Sequence, residues 1–373
     1  MYFIFVFLSV IGICIFVPIF CTVFPKAAIP LIYLHCFKFG TNQNFSDFSS
    51  HGILDHAASD FYIKSDFDGT PLGTWHIRPN ATHDLGLQHS WKSLGFDTIS
   101  NETPIFLYFH GMGFNRAHPH RVEVYKLLSR LGYHVMTLDY RGFGNSGGYP
   151  EGEMDVVGDA ISLLRYARSL APHSPVFIWG SSLGTGIAGS VVKVLNETSE
   201  LQPPEGIVLD APFTNLVAAA YHSPQGKAMR VVLILQHLLQ RIFSSLGIAY
   251  DSEAKQFVNG KSKFGLSQWL IGPNFDVVME RKITEHTDGF QRANCPILIF
   301  HSADDGVVPI QLGKTLYSTL KKANVDVTFK NLGFQGFGHN RNHEYPDAPL
   351  LIRNFVKNAI SVAKRKESVI VLK

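Results

Sequence analysis

The chain has 373 residues, 46% of them hydrophobic and 17% charged, with a formal net charge of +3. That is enough for one large domain or two smaller ones; it is too apolar for a disordered chain and lacks the basic excess that nucleic-acid binding requires. Four cysteines, with no CxxC pair and no Cys/His cluster, exclude a disulfide scaffold and offer no structural zinc site.

Met1 to Pro25 carries no charged side chain and is dominated by Phe, Ile, Val and Leu. About 20 apolar residues suffice to cross a bilayer as a helix, and the run exceeds a signal-peptide core of roughly 7–15 residues. An uncleaved anchor is therefore expected over a cleaved signal. Lys26 and Lys38 follow the run with nothing basic before it, which favours a cytoplasmic C-terminal domain. Four N-x-S/T sequons, at Asn44, Asn80, Asn101 and Asn196, point to the opposite side.

From about Phe61 the chain alternates apolar runs with amphipathic stretches, the pattern of an α/β fold. Residues 61–78 predict an antiparallel hairpin. Strands are predicted over 105–109, 134–139, 176–180, 206–210, 296–301 and 327–332. Helices are predicted over 121–131, 153–170, 182–195, 309–323 and 347–364. Short β-branched runs separated by helices imply a mainly parallel sheet covered on both faces. More than 80 residues separate Asp210 from Pro296, where about a dozen would make the crossover. This insertion contains apolar residues at helical spacing over 227–246, suited either to packing on the core or to capping a lipid-binding cleft.

The run Val176-Phe177-Ile178-Trp179-Gly180-Ser181-Ser182-Leu183-Gly184 places G-x-S-x-G between a strand and a helix. A sharp turn there crowds the backbone on both sides, which is why glycines flank the nucleophile. Ser182, at the motif position, is the expected nucleophile; Ser181 is the weaker candidate. A serine of this kind needs an acid and then a histidine later in the chain. Asp304 and Asp305 follow the strand ending at His301, and an aspartate capping the next helix is the alternative role for Asp304. His339, in the loop Gly336-Phe337-Gly338-His339, is preferred as base over His343 because small residues before it free the ring to reach the serine. The loop His110-Gly111-Met112-Gly113 follows the third strand, so the backbone N–H groups of Met112 and Leu183 are the expected oxyanion-hole donors. His110, His134 and His301 read as structural.

His110-Gly111, Leu138-Asp139-Tyr140-Arg141-Gly142-Phe143-Gly144, Gly180-Ser181-Ser182-Leu183-Gly184 and His301 through Pro309 resemble the α/β-hydrolase superfamily. Arg121-Val122-Glu123, Leu131-Gly132-Tyr133, Ala211-Pro212-Phe213-Thr214-Asn215 and Asp304-Asp305-x-Val307-Val308-Pro309 are similar to the membrane-anchored abhydrolase-domain monoacylglycerol and lysophosphatidylserine lipases, the twelfth abhydrolase-domain group. The likeness covers roughly 60–360. It implies an α/β-hydrolase fold, a Ser182–Asp305–His339 triad, no metal or organic cofactor, and a single-pass protein of the endoplasmic reticulum with a lumenal or extracellular catalytic domain.

The organisation expected is an anchor over 1–25, a juxtamembrane linker over 26–60, a catalytic domain over 61–365 with the insertion at 213–290, and a tail over 366–373. Three departures stand out from the family pattern: Ser181 occupies a position where His is common, the 225–265 stretch is long, and almost no cytoplasmic tail precedes the anchor. The expected activity is release of fatty acid from a single-acyl lipid presented by a membrane. Thioester hydrolysis or protein depalmitoylation on the same fold, and a catalytically silent lipid-binding protein, are the alternatives.

Overall fold

A computed structural model of the chain describes residues 33–34, 43–80, 103–214, 219 and 286–371. The expected anchor and almost all of the insertion lie outside them. Among the described residues no helix is long and apolar enough to cross a membrane.

The strands are β1 (Ala58–Lys64), β2 (Pro71–Ile77), β3 (Ile105–Phe109), β4 (His134–Leu138), β5 (Val176–Ser181), β6 (Gly206–Asp210), β7 (Ile297–His301) and β8 (Val327–Asn331). The helices are α1 (Pro119–Arg130), α2 (Glu153–Leu170), α3 (Leu183–Thr198), α4 (His286–Gln291), α5 (Ile310–Lys322) and α6 (Ala348–Val371). One eight-stranded sheet runs β1-β2-β4-β3-β5-β6-β7-β8. β1, β2 and β4 pair antiparallel, and β3 through β8 are mutually parallel. This is the α/β-hydrolase fold.

Apolar runs without polar alternation are explained by burial on both faces. Within each run the side chains still divide by parity. Leu107, Ile178, Leu209 and Ile299 join Val157, Leu164, Ile187 and Val191 of α2 and α3 on one face. Phe106, Phe177, Trp179, Val208 and Phe300 join Val124 and Leu128 of α1 and Phe355 of α6 on the other. Aromatic rings stack across that second face, Phe106 on Phe177 at 5.1 Å and Trp179 on Phe300 at 6.0 Å.

Three boundaries differ from the sequence reading. The folded unit begins before residue 61: Phe45, Phe48 and Ile53 are buried, with the Phe48 ring 5.0 Å from that of Trp75. These side chains flank short 3-10 turns at Ser49–His51 and Asp55–Ala57, in irregular backbone without a period to betray them. The last helix continues to Val371 instead of ending at Lys364, because Lys364, Arg365 and Lys366 are good helix formers. Residues 286–290, expected in the insertion, belong to α4, which packs on α3 so closely that a Cβ on Gly289 would lie 2.0 Å from the Gly189 carbonyl oxygen.

Candidate active site

The parallel strands deliver their C-terminal ends to one edge, where ligands of open α/β sheets bind. Ser182 stands between β5 and α3 with φ 50° and ψ −118°, a strained backbone for a non-glycine residue. The turn is held by Ser182 N–H donating to the Asp210 carbonyl at 2.9 Å and by Thr185 N–H donating to the Ser182 carbonyl at 2.8 Å. Gly180 and Gly184 are required sterically: an added Cβ would lie 2.5 Å from the Gly184 carbonyl oxygen in the first case and 1.9 Å from the Phe109 carbonyl oxygen in the second. Ser181, by contrast, is buried as the last residue of β5.

His339 Nε2 lies 3.0 Å from Ser182 Oγ, and His339 Nδ1 lies 2.7 Å from Asp305 Oδ2. The chain of hydrogen bonds therefore runs from the serine through the imidazole to the carboxylate. A carboxylate only accepts, so Nδ1 carries the proton and Nε2 faces the serine as an acceptor. Asp305 Oδ1 accepts the N–H groups of Val307 and Val308, both at 2.8 Å. Burial opposes ionisation of Asp305, but hydrogen bonds from His301 and His339 outweigh it and hold the carboxyl well below the usual carboxylate range.

Asp304 does something other than cap the helix. Its oxygens accept the N–H groups of Gly336 at 2.5 Å and Gly338 at 3.0 Å, fastening the loop that carries His339. Asp305 closes the turn onto Val307 and Val308, and α5 starts after Pro309 with no side-chain cap, so neither aspartate caps the helix. His343 sits in a separate 3-10 turn, Asn342–Glu344, with no bond to Ser182.

His110, His134 and His301 hold structure. His110 Nδ1 donates to the Gly111 carbonyl at 2.8 Å, and His134 Nδ1 lies 3.0 Å from His76 Nε2. His301 Nε2 donates to the Val308 carbonyl at 2.8 Å and lies 3.4 Å from Asp305 Oδ2. Gly313 leaves room for that ring: a Cβ there would come within 2.3 Å of His301 Nδ1.

The loop carrying Met112 lies beside the serine. A Cβ on Gly111 would be 3.3 Å from Ser182 Cβ, and Met112 is 44% exposed. Leu183 opens α3, where first-turn N–H groups have no partner within the helix. Of the sequons, Asn44 is exposed and Asn80 has a left-handed backbone, φ 55°. The Asn196 amide donates to the Arg292 carbonyl at 3.3 Å, and Asn101 lies outside the described residues.

Two supports escaped the sequence reading. Asn342 Nδ2 donates at 2.7 Å to Asp210 Oδ1, tying the loop after His339 to the end of β6. Burial pushes the Asp210 carboxyl up to about 6, against the pull of that hydrogen bond. Arg121 binds the loop that carries Met112; its only sequence signal was the Arg-Val-Glu motif, which names no partner. The Asp139-Tyr140-Arg141 motif is also structural: Asp139 Oδ2 lies 2.5 Å from Arg116 Nη1, and Arg141 Nη2 donates to Asp159 Oδ1 at 2.7 Å.

Residues 101–340 match the hydrolase family described as serine aminopeptidase, S33. The chain belongs to this family. It is similar to the rat lysophosphatidylserine lipase ABHD12, 29% identical over 359 residues that cover 94% of this chain and 79% of that protein. The chicken lysophosphatidylserine lipase ABHD12 is 32% identical over 321 residues, 81% of this chain and 70% of the relative. Human protein ABHD12B is 31% identical over 300 residues, covering 79% and 72%. The Pyrococcus furiosus esterase Pf2001 shares the fold, with a TM-score of 0.52 at 18% identity over 85% of this chain and 94% of the esterase. This member of the family is a serine hydrolase.

Proposed function

We propose that the chain hydrolyses the carboxylic ester of a single-acyl lipid, lysophosphatidylserine or monoacylglycerol, through Ser182, His339 and Asp305. The observation that carries the reading is the unbroken hydrogen-bond path of 3.0 and 2.7 Å from Ser182 Oγ to Asp305 Oδ2. Ser182 Oγ attacks the ester carbonyl while His339 Nε2 takes its proton. The tetrahedral oxyanion is received by the N–H groups of Met112 and Leu183. His339 returns the proton to the leaving glycerol or glycerophospho oxygen, giving an acyl-enzyme. Water, deprotonated by the same imidazole, then releases the fatty acid and restores the serine. Asp305 holds the imidazole in the Nδ1–H tautomer and stabilises its charged form.

The lipid choice is supported by similarity to relatives named lysophosphatidylserine lipases. The apolar, uncharged Met1–Pro25 run supports an anchor in the same membrane, with a lumenal or extracellular catalytic domain carrying the sequons. The test is fatty-acid release by the full chain from vesicles containing lysophosphatidylserine, monoacylglycerol or an S-palmitoylated peptide. Release from the first or second supports the reading, and their ratio names the preferred substrate. Release from the thioester alone contradicts it.

A further inference from the structure

Arg121 lies in the first turn of α1 with 1% of its surface exposed. Its guanidinium is spent on backbone carbonyls: Nη1 donates to Asn115 O at 2.7 Å, and Nη2 to Gly111 O at 3.1 Å and Gly113 O at 2.8 Å, with Met112 O at 3.5 Å. Among the described residues no carboxylate forms an ion pair with it. A buried cation is ordinarily paired with an anion, because desolvation is otherwise costly. Here four carbonyl dipoles hold the guanidinium, which acts on the buried Asp139 carboxylate only through space and without an ion pair.

The C=O and N–H of a trans peptide point in opposite directions. The Gly111 carbonyl belongs to the same peptide as the Met112 N–H. That carbonyl accepts from Arg121 Nη2 at 3.1 Å and from His110 Nδ1 at 2.8 Å, so the Met112 N–H is turned away from α1. The next peptide is fixed separately, its Gly113 N–H donating to the Tyr33 carbonyl at 2.9 Å. Gly111 itself abuts Ser182, the side on which negative charge develops during acyl transfer.

We propose that Arg121 is the positioning residue of the oxyanion loop. It pins the Gly111–Met112 peptide with its N–H toward the reacting carbonyl, and its charge polarises that peptide so the N–H donates more strongly to the oxyanion. The proposal rests on the reading of Ser182 as nucleophile. Its effect belongs to the transition state, since the ground-state ester oxygen carries little charge.

The experiment uses the detergent-solubilised full chain with a short p-nitrophenyl ester and an alkyl boronic acid, whose tetrahedral adduct puts a negatively charged oxygen in the hole. Arg121→Lys keeps the charge but cannot chelate the carbonyls. Its kcat is expected to fall about 10- to 100-fold with KM within about threefold, and the boronate Ki to rise by the factor that kcat/KM falls. Tyr125→Phe removes the hydroxyl that donates to Arg116 O at 3.0 Å from the same helix. It is expected to lower the melting temperature while leaving kcat and Ki unchanged, which separates positioning from loss of stability. Wild-type kcat and Ki in Arg121→Lys, or equal losses in Tyr125→Phe, overturn the proposal. In either of those cases an inactive Ser182→Ala leaves the nucleophile reading standing; a fully active Ser182→Ala overturns both.

Discussion

Asp304 and Asp305 are adjacent in the chain and hold the same loop at two different points. Asp305 Oδ2 takes the His339 ring at Nδ1, 2.7 Å away, while Asp304 takes the backbone of Gly336 and Gly338 that leads to it. One holds the imidazole and the other fixes the backbone from which it hangs. Asp305→Asn is expected to lower kcat by about 10³–10⁴, since it favours the wrong imidazole tautomer. Asp304→Ala is expected to cost only about tenfold, through loop positioning. Steady-state kinetics on one ester checks the ranking, and equal losses in the two variants would contradict it.

The glycines at the turn give a second contrast. Gly184→Ala puts a Cβ 1.9 Å from the Phe109 carbonyl oxygen, backbone that cannot move aside. This variant is expected not to fold. Gly111→Ala meets Ser182 Cβ at 3.3 Å and the Ser181 carbonyl oxygen at 3.4 Å, a close but survivable approach. It is expected to fold with a melting temperature near wild type and to lose activity, because the methyl stands where the ester must enter. Expression, thermal melts and kcat on purified protein decide both cases.

The Asn342–Asp210 bond makes a third prediction. Asn342→Ala leaves the buried Asp210 carboxyl without its amide donor, at a cost of about 1–3 kcal/mol. The same change releases the loop after His339, so kcat falls with stability. Urea denaturation at neutral pH measures the first effect, and an unchanged midpoint would contradict it.

Glu153 governs a pH dependence outside the site. Burial pushes its carboxyl up to about 7, against the hydrogen bond from Ser190 Oγ at 2.6 Å. The unfolded chain ionises near pH 4.3, so the folded state holds the proton longer. Its contribution therefore favours folding at low pH, is lost as pH rises from about 4 to about 7, and stays lost above. Glu153→Gln keeps an acceptor for Ser190 and removes the titration. It is expected to be more stable than wild type by about 1–2 kcal/mol at pH 8, with the gap closing toward pH 5. Urea midpoints across that range test the convergence.

Much of this site was legible because its chemistry is local. The Gly-x-Ser-x-Gly turn, the carboxylates after β7 and the histidine in a glycine loop each announce themselves within a few residues, and strand ends then bring them together. What stayed hidden depends on contacts across the chain. Arg121 reaches the loop at 111–115 and Asn342 reaches Asp210, and neither local sequence names its partner. The residues before 61 look like a linker in sequence because Phe45, Phe48 and Ile53 lie in irregular backbone around short 3-10 turns, which leaves no helical or strand period. The choice between the two aspartates needed the resemblance to a family, since neighbouring carboxylates on one loop are alike until their partners are known.

Mapping a covalent label decides whether Ser182 is the residue that becomes acylated. The full chain is reacted with a fluorophosphonate and the modified peptide is sequenced by mass spectrometry, alongside Ser182→Ala and Ser181→Ala. One phosphonyl group is expected on Ser182, absent from Ser182→Ala together with lipid hydrolysis and retained in Ser181→Ala. A label on Ser181, or hydrolysis that survives in Ser182→Ala, would contradict it.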